Sequence, residues 1–460
     1  MKLAAMNLRI HRRTGGSVLL AAMLTVTVVG LALGSYLWLV AHQNLSTMRS
    51  LAWNSAIPVV EAGVEEALTQ LYHNDIDHLS ANGWTNLANG WYYKRRGVDN
   101  RSYFEVMIEH ADPPRIVSTG YVPAPLAPSS LFGALLGNAG APPPDAYIRR
   151  RVRVNTAHNP LFHGAMIATT KIDMSGNNIS TDGFDSGDPQ YSTNGKWDVT
   201  KPTKASGDVG TNLGLTDSID VANANIKGHV GTGPGGSIAI GPNGTVGDVA
   251  WVDGGKIGIE DGWSTDDVHI EVFDVAQPFT NNYSVPASGT VNNVNYDFVL
   301  DQSQNYLVPD FHGKVLVSAN ATLWVTDTLR FINPSDYIYI APGASLKLYV
   351  SAPSAAIGGS GIMNSDSYAT TFQYYGLPSN TSLDFQANAA FTGTIYAPEA
   401  NFTLGGGGNE TYDFVGACVV RTVKLNGHYH FHFDEAIRRS LWKGYLVTAW
   451  NEIDPNSPIN

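Results

Sequence analysis

Ser17-Val18-Leu19-Leu20-Ala21-Ala22-Met23-Leu24-Thr25-Val26-Thr27-Val28-Val29-Gly30-Leu31-Ala32-Leu33-Gly34-Ser35-Tyr36-Leu37-Trp38-Leu39-Val40 is a run of 24 residues without Asp, Glu, Lys, Arg or His. An α-helix rises about 1.5 Å per residue, so this run is long enough to cross a hydrocarbon core about 30 Å thick. A cleaved secretory signal has an apolar region of only about 7–15 residues followed by a small-residue cut site, and no such site follows Val40. Lys2, Arg9, Arg12 and Arg13 meet no acidic residue in the first sixteen positions, which places that end in the cytoplasm by the positive-inside rule. Residues 1–16 therefore read as a basic cytoplasmic leader, and residues 17–40 as a transmembrane helix. Everything beyond is expected on the far side of an inner, cytoplasmic membrane.

The 460 residues exceed the needs of one compact domain, so two or three units are expected. Forty acidic against 28 basic residues give a net charge of −12, which argues against a nucleic-acid partner. With 47 glycines, 24 prolines and 15% charged residues, the body reads as β-rich and turn-rich. The one cysteine, Cys418, excludes an intrachain disulfide. It sits in the strand-like run Gly416-Ala417-Cys418-Val419-Val420 and reads as a buried structural thiol.

Past the membrane, Val60, Val64, Leu68 and Leu71 recur at helical spacing, so residues 41–72 read as an amphipathic helix extension. Pro58 is expected to kink or interrupt the helix just before this part. Glu61, Glu65 and Glu66 read as a solvated helix face. Residues 73–157 then form a smaller β-rich region, with strands at Tyr103–Glu109, Arg115–Val122 and Tyr147–Val154. Between the second and third strands, Pro123 to Pro144 reads as a Pro/Gly-rich loop. Arg149, Arg150, Arg151 and Arg153 are assigned to the solvent face of the third strand in preference to a polyanion-binding patch.

The basic residues, Gly16, the uncharged helix and Glu61-Ala62-Gly63-Val64-Glu65-Glu66-Ala67-Leu68 together resemble the N-terminus of the PilX-like minor pilins. That resemblance implies a leader ending at Gly16, a mature chain beginning at Ser17, and cleavage between them by a prepilin peptidase. It also implies other pilins or pilus-assembly proteins as partners. The fifth residue after the junction is Ala21, where most major pilins carry glutamate and some minor, tip-type pilins do not. On this reading the three strands pack on the exposed end of the helix as a small pilin-like head.

From residue 158 charge thins, and short β-branched runs alternate with glycine and asparagine. Ile240-Gly241-Pro242-Asn243-Gly244-Thr245-Val246, Val317-Ser318-Ala319-Asn320-Ala321-Thr322-Leu323, Ile340-Ala341-Pro342-Gly343-Ala344-Ser345-Leu346 and Tyr396-Ala397-Pro398-Glu399-Ala400-Asn401-Phe402 share one form. In each, a strand ends, a small corner follows and a new strand begins. The second and third start 23 residues apart, about one coil of a β-solenoid, so residues 158–436 are expected to form a β-helix. A β-sandwich is the alternative. Asp182–Gly195, Gly207–Asn212 and Leu425–Ala436 resemble a bacterial solenoid domain that often follows PilX-like N-termini and has no activity established for it as a family. Residues 437–460 are expected to be a C-terminal helix, built on Ile437, Leu441, Tyr445 and Leu446, that caps the solenoid.

His428, His430, His432 and Asp434 alternate, so on a strand they share one face and form the candidate metal site for zinc or nickel. On a flat strand, side chains at these spacings diverge over about 13 Å, so a structural ladder is preferred to metal binding. Asp182, Asp185 and Asp188 offer oxygen ligands for calcium but lack the twelve-residue loop, so turn chemistry is preferred. Gly405–Gly408 carries no Lys-Ser/Thr, which excludes a phosphate loop, and no Gly-x-Ser-x-Gly elbow frames a serine. No cofactor and no enzymatic activity are expected. The functional expectation is a membrane-anchored minor-pilin-like component of a type IV pilus or type II secretion pseudopilus, displaying the solenoid for assembly or adhesion. Its expected partners are membrane lipid, other pilins, a prepilin peptidase and a surface glycan. The alternative is a membrane-tethered β-helix protein that binds or degrades polysaccharide.

Overall fold

The computed structural model describes residues 15–73, 76–87, 89–125, 147–386, 389–406 and 410–458. One long apolar helix, α1 (Gly15–His73), leads into a mostly β chain. The chain divides into two compact units, residues 1–158 with 444–460, and residues 159–443. The expected loop 123–144 lies outside the described residues apart from its first three positions.

In the first unit, the apolar half of α1 is long and apolar enough to cross a membrane and buries none of that window. Helix α1 runs on through Pro58 without interruption, contrary to the expected break. A proline in a helix interior costs about 3 kcal/mol. Burial of Ala56, Val59, Val60, Val64, Ala67 and Leu71 around it offsets that cost. The face that receives them belongs to a sheet of β1 (Thr85–Asn86), β2 (Trp91–Gly97), β3 (Tyr103–Glu109), β4 (Arg115–Pro123) and β5 (Tyr147–Pro160), with the strand Trp442–Ile453 at its far edge. Pairing from β1 to β5 is antiparallel throughout. Alternate residues Phe104, Val106 and Ile108 of β3 point to α1, as period-2 patterning requires.

Helix and sheet approach closely because two glycines face each other's elements. A Cβ on Gly120 would lie 2.9 Å from the Ala56 carbonyl oxygen and the Val60 nitrogen, and one on Gly63 would lie 2.2 Å from Ser118 Oγ. Ser118 Oγ instead donates to the Val60 carbonyl at 2.8 Å. Gly120→Val is therefore expected to cost about 1–3 kcal/mol by forcing α1 off the sheet. A urea unfolding midpoint unchanged from wild type would refute that packing.

Two further expectations are corrected in this unit. Residues 437–460 are not a capping helix: a five-residue helix, Ala436–Ser440, is followed by the strand Trp442–Ile453. Its Trp, Tyr, Val and Thr residues favour strand, and partners on β5 settle the choice. Arg150 donates to both carboxylate oxygens of Glu452, from Nε at 2.7 Å and Nη2 at 2.6 Å, and Thr448 Oγ1 donates to the Asn155 carbonyl at 3.1 Å. Three of the arginines of β5, Arg149, Arg150 and Arg151, are accordingly tied down within the unit and not free on its surface. Arg149 donates to Asn456, and Arg151 donates to Thr119 and to the Ser457 carbonyl. The strand Trp91–Gly97 was also missed by sequence reading, since its charged second half, Lys94-Arg95-Arg96, is engaged by Glu66 at the first and third positions.

The second unit is built from parallel ladders. One ladder runs through the register partners Tyr306, Leu323, Leu348, Tyr374, Ile395, Cys418, Met166, Val209, Val230 and Ser264. Its steps from Leu323 to Cys418 are 21 to 26 residues, and Val317 pairs with Ile340 at the expected spacing of 23. All but Ser264 lie in one continuous apolar core. Three of the four expected corners separate consecutive strands, whereas Tyr396–Phe402 lies inside one strand, Phe391–Leu404, whose register shifts between Ala397 and Asn401.

Numbers along that ladder fall from 418 to 166 in the middle. The chain enters there, winds outward to Thr265, and crosses back outside the ladder to Ser284, which bridges Tyr306 at the opposite end. It then winds towards the middle until Cys418 meets Met166. The crossing segment is held by Asn212, which exchanges two hydrogen bonds with the Ile270 backbone, and by Tyr396, which does the same with Phe273. Incoming and outgoing chain lie side by side, with Leu161 N–H donating to the Leu441 carbonyl at 2.9 Å.

Candidate functional site

The junction between the two windings carries the densest chemistry among the described residues. Strand Tyr429–Asp434, the last of the unit, pairs in parallel with Tyr412–Leu425 on one side and with Ser180–Phe184 on the other. Tyr429 and Phe431 point into the core, so the alternation turns His430 and His432 outward. Register then sets Asp413 beside His430 and Asp182 beside His432.

His432 is 3% exposed. Its Nδ1 lies 2.7 Å from Asp182 Oδ1 and its Nε2 lies 3.2 Å from Asp413 Oδ1. Trp197, from the segment that follows Ser180–Phe184, stacks on the imidazole at 3.8 Å. Burial disfavours a charge on His432, but the hydrogen bonds and charges of Asp182 and Asp413 outweigh it and raise the pKa above its usual value. For His430, burial and the neighbouring His432 lower it. One ligand atom each from Asp413, His430 and His432 lie within 4.8 Å of one another.

The four residues singled out by alternation are thus not one cluster. His428 precedes the strand, and its Nδ1 is buried without a hydrogen-bond partner. Asp434 accepts from the backbone N–H groups of Ser186 and Ala436, at 2.9 and 3.0 Å, and caps the short helix. Burial pushes its carboxyl above the usual range. Alternate residues of one strand lie about 7 Å apart, so the span from His428 to Asp434 is too long for one ion, and the neighbouring strand supplies Asp413 as the third member beside His430 and His432.

The three aspartates considered for calcium are also apart. Asp182 faces His432. Asp185 accepts from Gly187 N–H and from Arg439, which hold its carboxyl below the usual range although burial opposes them. Asp188 accepts from Gln190 N–H in an Asx turn. Around them, Lys204–Glu435 and Arg438–Asp208 fasten the segment that carries Trp197. Asp413, Asp182 and Trp197 escaped sequence reading as partners of the histidines. The first is one 17-residue turn back from His430, and the other two come from the opposite winding.

Fold and site together define a chain with one long apolar helix, an antiparallel sheet and a parallel-stranded β unit whose polar side chains gather at an internal junction. Residues 316–440, little more than a quarter of the chain, match a family described as a domain of unknown function (DUF7305). The match takes in Asp413, His430 and His432 and leaves Asp182 outside. No curated protein and no solved structure matches the chain.

Proposed function

We propose that this chain is a membrane-anchored, minor-pilin-like component of a type IV pilus or type II secretion pseudopilus. On this reading its basic end stays in the cytoplasm, and its β unit is a β-solenoid displayed beyond the inner membrane for assembly or for adhesion to surface glycans. One observation carries the reading: α1 leaves its apolar half wholly unburied while its second half packs, through Ala56, Val60 and Val64, on an antiparallel sheet. A helix with an unburied apolar half suits lipid or the core of a helical filament, and an isolated soluble domain has no use for it. The parallel ladder, with steps near 23 residues and an unbroken apolar core, supports the solenoid.

The N-terminal residue and intact mass of protein from its native membranes test the filament reading. A chain beginning at Ser17, shorter by the sixteen leader residues, is expected from prepilin-peptidase cleavage after Gly16. A chain beginning at Met1 overturns the filament reading and leaves a tethered β protein.

A further inference from the structure

We propose that Asp413, His430 and His432 bind one divalent transition-metal ion of zinc type, with Asp182 orienting His432 from behind, and that this ion clamps the junction between the two windings. His432 lies between two carboxylates. Its Nδ1, 2.7 Å from Asp182 Oδ1, is placed to donate its proton to that carboxylate. Nε2 faces the Asp413 oxygen at 3.2 Å. A cation between them, whether a proton or a metal ion, makes that approach favourable. A second proton on His432 answers this for one ring only. It leaves His430 with no hydrogen-bond partner among the described residues, although its nitrogen lies in the same group of ligand atoms. A metal ion satisfies Asp413, His430 and His432 together.

Ligand chemistry narrows the ion. Two imidazoles and one carboxylate suit zinc, cobalt, nickel or copper, whereas calcium and magnesium require an all-oxygen set. The pairing of Asp182 with the far nitrogen of His432 is the carboxylate–imidazole arrangement that fixes the tautomer of metal-bound histidines. Bonds of about 2.0–2.1 Å set ligand atoms roughly 3.3 Å apart in a tetrahedron. The Asp413–His432 separation already matches, and the 4.8 Å limit requires at most about 1.5 Å of side-chain movement. Trp197 covers His432 and restricts access of water from that side. Asp182 lies 250 residues before His432, on the strand where the first winding begins. An ion here joins the final strand to its neighbour and, through Asp182, to the first winding.

The test uses the full chain, purified in detergent and stripped with a chelator, with Zn²⁺ titrated against a chromogenic competitor. One ion per chain is expected, with a Kd below about 10 μM. His430→Ala and Asp413→Ala are expected to weaken binding at least about 30-fold, and Asp182→Asn about 10-fold. His428→Ala is expected to leave affinity within about threefold of wild type, which separates this site from adventitious histidine binding. Circular dichroism checks that each variant is folded. Where His430→Ala does not fold, His430→Gln and the Co²⁺ spectrum of the unaltered chain decide. Intense visible absorption of four- or five-coordinate cobalt supports the site, and the weak spectrum of the hexaaquo ion overturns it. Absence of saturable Zn²⁺ binding below about 1 mM, or equal affinity in wild type and the folded His430 variant, overturns it as well.

Discussion

Gly416→Ala is expected to lower the melting temperature of the β unit by roughly 10 °C, the effect of about 3 kcal/mol or more on a domain of this size. Gly416 has φ +141°, a conformation that L side chains rarely adopt. A Cβ there would sit 1.8 Å from the carbonyl oxygen of Gly393, its register partner on the neighbouring strand. Backbone strain of about 1–3 kcal/mol adds to the overlap. Relief by moving Gly393 is blocked in turn, because a Cβ-sized displacement on that side meets Phe372, whose Cδ1 lies 2.6 Å from the Gly393 Cβ position. Gly405→Ala is the control. Gly405 has no positive φ, and its added Cβ meets only Gln386 Cγ at 3.7 Å, so a change of under about 0.5 kcal/mol is expected. Thermal melts followed by near-ultraviolet circular dichroism compare the two. A Gly416→Ala protein that melts within 2 °C of Gly405→Ala would refute the register across this pair.

Local signals gave a good part of this fold. Strand β3 was legible because its β-branched and aromatic residues alternate about Glu105 and Glu109, and period-2 alternation is a property of five or six consecutive residues. The 23-residue step was legible because corners need particular small residues, and Val317 and Ile340 end successive strands that pair directly. Two kinds of information lay outside such windows. The strand Trp442–Ile453 has apolar residues spaced as on a helix, and only Arg150 and Asn155, about 300 residues earlier, make it an edge strand. Nor does periodicity reveal the order of windings. Cys418 meets Met166 because the chain enters its ladder in the middle, and no repeat length encodes where the first copy is placed.

The candidate site follows the same division. His430 and His432 were legible as a pair on one strand face, and that part of the alternation argument holds in the structure. Asp434 obeys the same alternation but is drawn away to cap the helix Ala436–Ser440 through Ala436 N–H. Its replacement, Asp413, comes from a turn of 17 residues, shorter than the 23 that spaced the corners. Asp182 and Trp197 belong to the opposite winding, so their place beside His432 became legible only once the junction was known. Asp413 reaches this face across strands, which lie about 4.8 Å apart, while His430 and His432 are alternate residues of one strand, about 7 Å apart along the backbone.

Phe414→Ala is expected to cost about 3–5 kcal/mol, through lost transfer energy and the cavity left behind. Phe414 is fully buried, and its ring stacks on Phe391 and Phe431, each at 4.4 Å, its register partners on the strands to either side. Beyond Phe431 the next partner is Thr181, whose hydroxyl donates to the Gly207 carbonyl. The aromatic ladder thus ends at the junction of the windings, and a hole at Phe414 removes support from the strand that carries His430 and His432. Leucine fills much of the volume, so Phe414→Leu is expected to cost under about 1.5 kcal/mol. Cys418, four residues along the same strand, supplies the measurement. Its thiol is fully buried, with its pKa pushed up to about 12 by that burial, so it is unreactive until the strand opens. With opening fast relative to labelling, a loss of about 3 kcal/mol raises the rate of thiol labelling in the native protein on the order of 100-fold. Phe414→Leu is expected to raise it about tenfold. Equal labelling rates for Phe414→Ala and wild type would show that the ring stack does not hold the Cys418 strand closed.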